Sequence, residues 1–285
     1  MGSGNQAHNE AGVLLHASVS EVLQRHRSVR RFARRDLPVE LVQRVVTEAV
    51  AGTSSYGNLN CASVVATAEA ERLASLRALH FDQPATQSAP LMLTVCADTY
   101  RLGVWLAARE ARPCFDNLHG LAVGVVDACL LAQSIALGFE AAGLGICFLG
   151  TTLDACERIA QFLGLPKGCI PVTSLAVGYP ADTPHKRARL PLDAQLFWER
   201  YPAVGDAQLT AWFAQREAAD WADVLRRDPE ASVEMARLGI ENYAQYCTSA
   251  CRYPPEESDA TAQQLLRMAT VAGFARWPGR WLEEA

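Results

Sequence analysis

Two arginines, a histidine and a serine fall within five residues at His26-Arg27-Ser28-Val29-Arg30. Guanidinium forks match phosphate oxygens two at a time, and a serine hydroxyl adds a further donor, so the pentapeptide has the chemistry of a phosphate clamp. The same residues would also suit a solvated helix end, where cations are favoured by the macrodipole. A second group is the loop Thr53 to Asn60, whose hydroxyls, glycine and two carboxamides could hydrogen-bond the edge of a heteroaromatic ring or a phosphate, or simply form a polar turn. A third is Gly143 to Gly150, where glycines at both ends of an apolar strand allow a flat ligand to approach the backbone. The fourth, Lys186-Arg187-Ala188-Arg189, is a further basic cluster. Cys61, beside the polar loop, could be a nucleophile, but no positioned base accompanies it. Cys247 and Cys251 lack the third and fourth ligands of a zinc site.

These clusters stand out because the chain as a whole is acidic. Its net charge is −5 over 285 residues, which gives no electrostatic case for nucleic acid. The nine cysteines are scattered and odd in number, several inside apolar runs, which fits a reducing, cytoplasmic setting better than a disulfide scaffold. Leu121 to Leu137 is apolar enough to suggest a membrane span. It carries Asp127, however, and reads as a buried core helix. Residues 1–15 are polar, show no signal peptide, and are expected to be disordered.

The elements that must position these groups alternate along the chain. Helical spacing covers Val19 to Arg25, and Pro38 opens a helix running to about Ala51, since proline suits a first helical turn. Strands are expected at Ser63 to Thr67, Pro90 to Ala97, Gly145 to Leu149 and Ile170 to Tyr179. Helices are expected at Glu69 to His80, near Tyr100 to Arg109, and as one amphipathic run from Thr151 to Leu163. After Pro191 the pattern is helical and Trp-bearing, at Ala207 to Ala218, Val233 to Tyr246 and Thr261 to Val271. The expected class is α+β, a sheet covered by helices.

The order of these motifs resembles one family. His26 to Phe32, Pro38, the serine loop with Cys61, Gly124 to Gln133, Gly143-Leu144-Gly145, Leu163 to Pro166, Val177 to Asp182 and Arg187 to Pro191 together look like a flavin-dependent nitroreductase. The similarity is to the larger branch of oxygen-insensitive NADPH nitroreductases and NADPH-flavin reductases. It extends from about Glu21 to Tyr201 and more loosely beyond.

The resemblance implies a nitroreductase-like fold: a central, mostly antiparallel sheet, a long core helix at a homodimer interface, and a helical C-terminal extension. Residues 16–200 would form the FMN-binding domain and residues 201–285 an extension packed on it or on the partner subunit. FMN would be held by both chains. The resemblance places His26, Arg27, Ser28 and Arg30 at its phosphate, and Ser55 and Gln83 beside it. Phe148, Leu149, Gly150 and Thr151 would meet its ring through backbone groups. Arg187 and Arg189 would reach ring and phosphate, Arg187 standing where the branch usually has lysine. Hydride would pass from NADH or NADPH to flavin N5 and then to a small, flat electron acceptor, such as a nitroaromatic, a quinone or free flavin, in ping-pong order. Gly57, Asn58 and His119 would line the acceptor pocket. Azo reduction, a dehydrogenation on the same scaffold, and flavin binding without turnover are the alternatives. In Tyr246 to Glu257, where NADPH-preferring relatives carry an arginine-rich loop, this chain has one arginine and two acids. NADH is therefore expected to serve comparably well.

Overall fold

A computed structural model describes residues 18–227 and 229–275. The expectation for residues 1–15 lies outside them. Four strands build one sheet: β1 (Ala62–Thr67), β2 (Leu91–Asp98), β3 (Gly145–Leu149) and β4 (Cys169–Gly178). They lie in the order β1-β2-β4-β3, and every pairing is antiparallel. β2 is buried along its whole length, because both faces are covered. By the two-residue alternation of a strand, Leu91, Leu93 and Val95 turn to one face with Ile146, Leu175 and Val177. There they meet Ala128, Leu131, Ile135 and Phe139 of a long helix. Met92, Cys147, Leu149 and Ala176 turn to the other face, against Leu73, Leu76 and Ile159. Two apolar layers on one sheet leave β2 little room for polar groups, which is why its sequence is mostly apolar up to Asp98, with Thr94 paired to the Ser174 hydroxyl at 3.2 Å.

The first helices are α1 (Val19–Arg25), closed at its start by a Ser18–Glu21 capping box, and α2 (Val39–Gly52), for which Pro38 is the N-cap rather than a first-turn residue. α3 (Ala70–Leu79) starts on Glu69, whose carboxylate accepts from the Glu71 and Arg72 amides at 2.9 Å each. The short α4 (Pro84–Gln87) was not expected; α5 (Tyr100–Ala108) was. The core helix α6 spans Leu118–Ala141, longer than its apolar run suggested, because the Asn117 side chain accepts from the Gly120 amide at 3.1 Å and adds a turn. α6 is long and apolar enough to cross a membrane, but it packs on β2, β4 and α2, and Asp127 is buried at its centre. The expected single helix Thr151 to Leu163 is broken at Ala155 into α7 (Thr151–Asp154) and α8 (Cys156–Leu163), because Ala155 leaves helical geometry at φ −125°.

The chain separates into two compact units, one reaching to Pro184 and resuming at Gln264, the other comprising His185–Gln263. The second holds α9 (Asp206–Arg227), α10 (Pro229–Arg237), α11 (Tyr243–Cys247) and the start of α12 (Pro255–Val271). The helix expected over Val233 to Tyr246 is two helices: the chain turns at Gly239, and Asn242 caps α11 by accepting from the Gln245 amide at 3.0 Å. In the first unit, Met268 of α12 and Ala272 and Phe274 just after it join a small core with Cys156, Ala160 and Ile170.

Candidate active site

The basic pentapeptide leaves α1 and runs alongside the edge strand β3. Ser28 bridges Ile146 in parallel, the Val29 amide donates to the Ile146 carbonyl at 2.9 Å, and Phe32 bridges Pro180. This tight lateral packing requires Gly145: a Cβ there would lie 2.7 Å from a Val29 methyl carbon. Val29 and Phe32 are buried, and the residues between them point outward. Arg27 and Arg30 make their described polar contacts only with nearby backbone carbonyls, Arg25 O at 3.1 Å and Ser28 O at 3.3 Å. Their cationic donors thus remain uncommitted to any carboxylate. His26 is different, since its Nδ1 lies 2.8 Å from Oε1 of the mostly buried Glu140 near the end of α6. Arg25, Arg27, Glu140, Gly145 and Thr183 border a hollow of about 370 Å³ beside this segment.

β3 carries the line onward. Phe148 is 37% exposed on an otherwise buried strand, whereas Leu149 is wholly buried and can offer a ligand only its backbone. At Gly150 a Cβ would meet nothing within 4 Å, so the backbone there faces open space. Thr151 follows, and its hydroxyl is shared: Gln83 Nε2 donates to it at 2.7 Å and His80 Nδ1 lies 2.8 Å away. The clamp, residues 148–151 and Gln83 are therefore gathered at one edge of the sheet. The Arg30 guanidinium opposes, without cancelling, the upward push that burial gives the Cys147 thiol. The shared edge can accept a phosphate dianion at one end and a flat ring at the other.

The serine loop is built elsewhere. Asp127, buried on α6, accepts from Ser55 Oγ at 2.6 Å and from the amides of Tyr56 and Cys61 at 2.9 Å each. Ser55 Oγ in turn accepts from the Asn60 amide at 2.7 Å. The Ser55 O–H is thereby spent on Asp127 and one of its two lone pairs on Asn60. Gly57 and Asn58 take left-handed backbone, φ 54° and 57°, which places glycine and asparagine where bulkier residues would be strained. Beside them the ring of His119 meets Tyr56 edge-on at 5.7 Å and Phe115 at 5.5 Å. Gly57, Asn58 and His119, the three residues expected on the acceptor side, are thus brought together around Tyr56. A cavity of about 310 Å³ lies next to Ser55, Asp127, Ser63 and Arg101.

β1 and β3 are opposite edges of the sheet, three strand spacings or about 14 Å apart; the serine loop leads into the first and the clamp runs beside the second. The cavity beside Ser55 and the hollow beside the clamp share no lining residue. Arg187 and Arg189 belong to the second compact unit, where Arg189 Nη1 reaches only the Arg187 and Ala188 carbonyls at 3.5 Å each. Cys61 is fully buried, and burial together with the Asp127 and Asp98 charges pushes its thiol up to about 11. It remains protonated near neutral pH and cannot act as a nucleophile. Sequence reasoning missed Glu140, His80 and the latching role of Asp127. All are single residues whose partners are more than sixty positions away.

Residues 23–179 match the model of the nitroreductase family. An FMN reductase (NADPH) of Bacillus subtilis is 32% identical over 178 residues, covering 61% of this chain and 70% of that protein. An NADPH-dependent oxidoreductase of Staphylococcus aureus is 31% identical over 194 residues, covering 67% and 76%. A solved nitroreductase from Bacillus subtilis shares the fold, with a TM-score of 0.74, 21% identity, and coverage of 90% of this chain and 99% of that one. The fold and site define an oxidoreductase scaffold, and the chain belongs to the nitroreductase family.

Proposed function

We propose that this protein is an FMN-dependent oxidoreductase. It takes hydride from NADH or NADPH and passes electrons to small, flat, electron-poor acceptors: nitroaromatics, quinones or free flavin. The observation that carries the reading is the shared edge on which uncommitted Arg27 and Arg30 sit in line with exposed Phe148, open Gly150 and Gln83. That donor set suits a phosphate joined to a ring. When bound, FMN supplies the redox chemistry, with hydride entering and leaving at its N5.

Arg27, Ser28 and Arg30 hold the phosphate, and His26, fixed through Nδ1 by Glu140, borders it. Phe148 and the backbone of residues 149–151 border the ring. Gly57, Asn58 and the His119–Tyr56–Phe115 cluster line the acceptor side.

The protein works as a homodimer, because the Ser55 side of one subunit then completes the clamp side of the other. The separation of the two groups across the sheet, and the exposed apolar residues Leu118, Val126 and Leu130 of α6, support this.

The test is anaerobic. NADH or NADPH is added to FMN-loaded protein, a nitroaromatic is injected, and flavin absorbance is followed. Bleaching, then recolouring with hydroxylamine formed, is the expected result. Bleaching without recolouring would remove nitroaromatics from the substrate list, and no bleaching with either nicotinamide would overturn the oxidoreductase reading.

A further inference from the structure

His80, immediately after α3, is fully buried, yet its Nε2 has no hydrogen-bond partner among the described residues. Its Nδ1 lies 2.8 Å from Thr151 Oγ1, the same oxygen to which Gln83 Nε2 donates. Burial holds the imidazole neutral, lowering its pKa from 6.5 to about 4. A neutral imidazole carries one ring proton. Placing it on Nε2 would bury an unfilled donor, a rarer and costlier defect than an unfilled acceptor. The proton therefore belongs on Nδ1, where it is donated to Thr151. The Thr151 oxygen then accepts twice, from His80 and Gln83, and both its lone pairs are used. What remains is its own O–H, which must point away from both.

We propose that His80 is a positioning residue that fixes the Thr151 hydroxyl as an outward hydrogen-bond donor to an acceptor atom on the edge of the bound flavin ring. The inference rests on the proposed function, in which residues 148–151 face that ring. His80 itself never touches the ligand. Its effect on the flavin passes wholly through Thr151, and a hydrogen bond to the ring edge changes both FMN affinity and the ease of reduction.

Three variants test this: His80→Leu, which removes the donor; His80→Asn, whose side-chain amide can reproduce the Nδ1–H; and Thr151→Val, which removes the hydroxyl. The measurements are FMN dissociation constants by fluorescence titration of apo-protein and midpoint potentials by anaerobic dye equilibration, with folding checked by circular dichroism. His80→Leu and Thr151→Val should each weaken FMN binding about tenfold and shift the potential in the same direction. His80→Asn should stay within about twofold of the parent, and the double variant should bind no more weakly than Thr151→Val alone. Additive losses, or a folded His80→Leu with unchanged affinity and potential, would overturn the role of His80. Should His80→Leu fail to fold, the comparison of His80→Asn with Thr151→Val decides, and equal losses in both would overturn the proposal. A parent protein that binds no FMN would instead remove the flavin reading on which the proposal stands.

Discussion

Asp127→Ala should be among the most damaging single substitutions outside the sheet. The carboxylate is 2% exposed and accepts three hydrogen bonds, from Ser55 Oγ and from the Tyr56 and Cys61 amides. A hydrogen bond to a charged group contributes about 1.5–3 kcal/mol, and a buried donor left unpaired costs about 1–3 kcal/mol. Alanine strands the Cys61 amide in the core and frees the Tyr56 amide near the surface, while the Ser55 hydroxyl can rotate to water. Removing a buried charge also relieves its desolvation cost, which offsets part of the loss. The net effect is about 3 kcal/mol, a large share of the roughly 5–15 kcal/mol typical of a folded domain. Asp127→Asn should fall between, since its carbonyl can serve one amide while its NH₂ confronts another donor. Urea unfolding of the apo-protein reads the loss without contribution from bound ligand. Because Gly57 and Asn58 ride on the latched loop, KM for the acceptor should rise more than kcat falls. If both variants unfold within about 0.5 kcal/mol of the parent, Asp127 does not latch the loop and the reasoning fails.

Three further outcomes follow from particular groups. Neutral, buried His80 contributes its full stability above pH 6.5; the contribution is lost as pH falls toward about 4, because only the unfolded chain takes up the proton in that window. The loss is on the order of 3 kcal/mol, and His80→Asn should flatten that part of the stability–pH curve; an unchanged curve would show that His80 does not titrate there. Iodoacetamide should label the exposed Cys114 freely and leave Cys61 untouched, while exposed Cys129 on α6 becomes protected as the proposed dimer forms on concentration; peptide mapping that finds Cys129 equally reactive at every concentration would place the interface elsewhere. NADH and NADPH should give kcat/KM within about tenfold, because Arg252, the one arginine between Tyr246 and Glu257, lies 4.6 Å over the Tyr253 ring and hydrogen-bonds its hydroxyl at 3.2 Å. A strong NADPH preference in steady-state assays would show that Arg252 leaves the tyrosine for the 2′-phosphate.

What was legible in the sequence follows from the range of the interactions involved. β2 and α6 announce themselves because burial on several sides leaves continuous apolar runs, and the basic pentapeptide stands out against an acidic chain. The break at Ala155 carries no local signal, since Thr151 to Leu163 contains no glycine or proline. The break after Arg237 did carry one: Gly239 and Asn242 are an ordinary helix stop and start, masked by the apolar periodicity around them. In the site, the clamp is read from contiguous residues. His80–Thr151, His26–Glu140 and Ser55–Asp127 are 71, 114 and 72 positions apart, and only the sheet and α6 bring them together. Ser55 illustrates the difference most clearly, because a hydroxyl that the motif suggests for a ligand is engaged by a distant buried acid.

The sheet edges also bear on how two copies could meet. β3 is flanked by the Ser28–Phe32 segment, which takes up hydrogen-bonding positions on that side. At the other edge, the Asp98 amide donates to the Cys61 carbonyl, so the alternating carbonyls of Asn60 and Ala62 turn away from β2. Both are bonded by the Arg101 guanidinium, itself held at 2.9 Å by Asp98. Strand addition is therefore obstructed along β3 and at the start of β1, as sheets commonly guard against unwanted pairing. A second copy approaching through helix faces would find Leu118, Val126 and Leu130 of α6 and Val50 of α2 among the exposed apolar residues. Charging that face, for instance with Val126→Glu and Leu130→Glu together, should yield a folded monomer by sedimentation. If the clamp needs a partner's serine loop, the same monomer should lose FMN although Arg27, Ser28 and Arg30 are all intact.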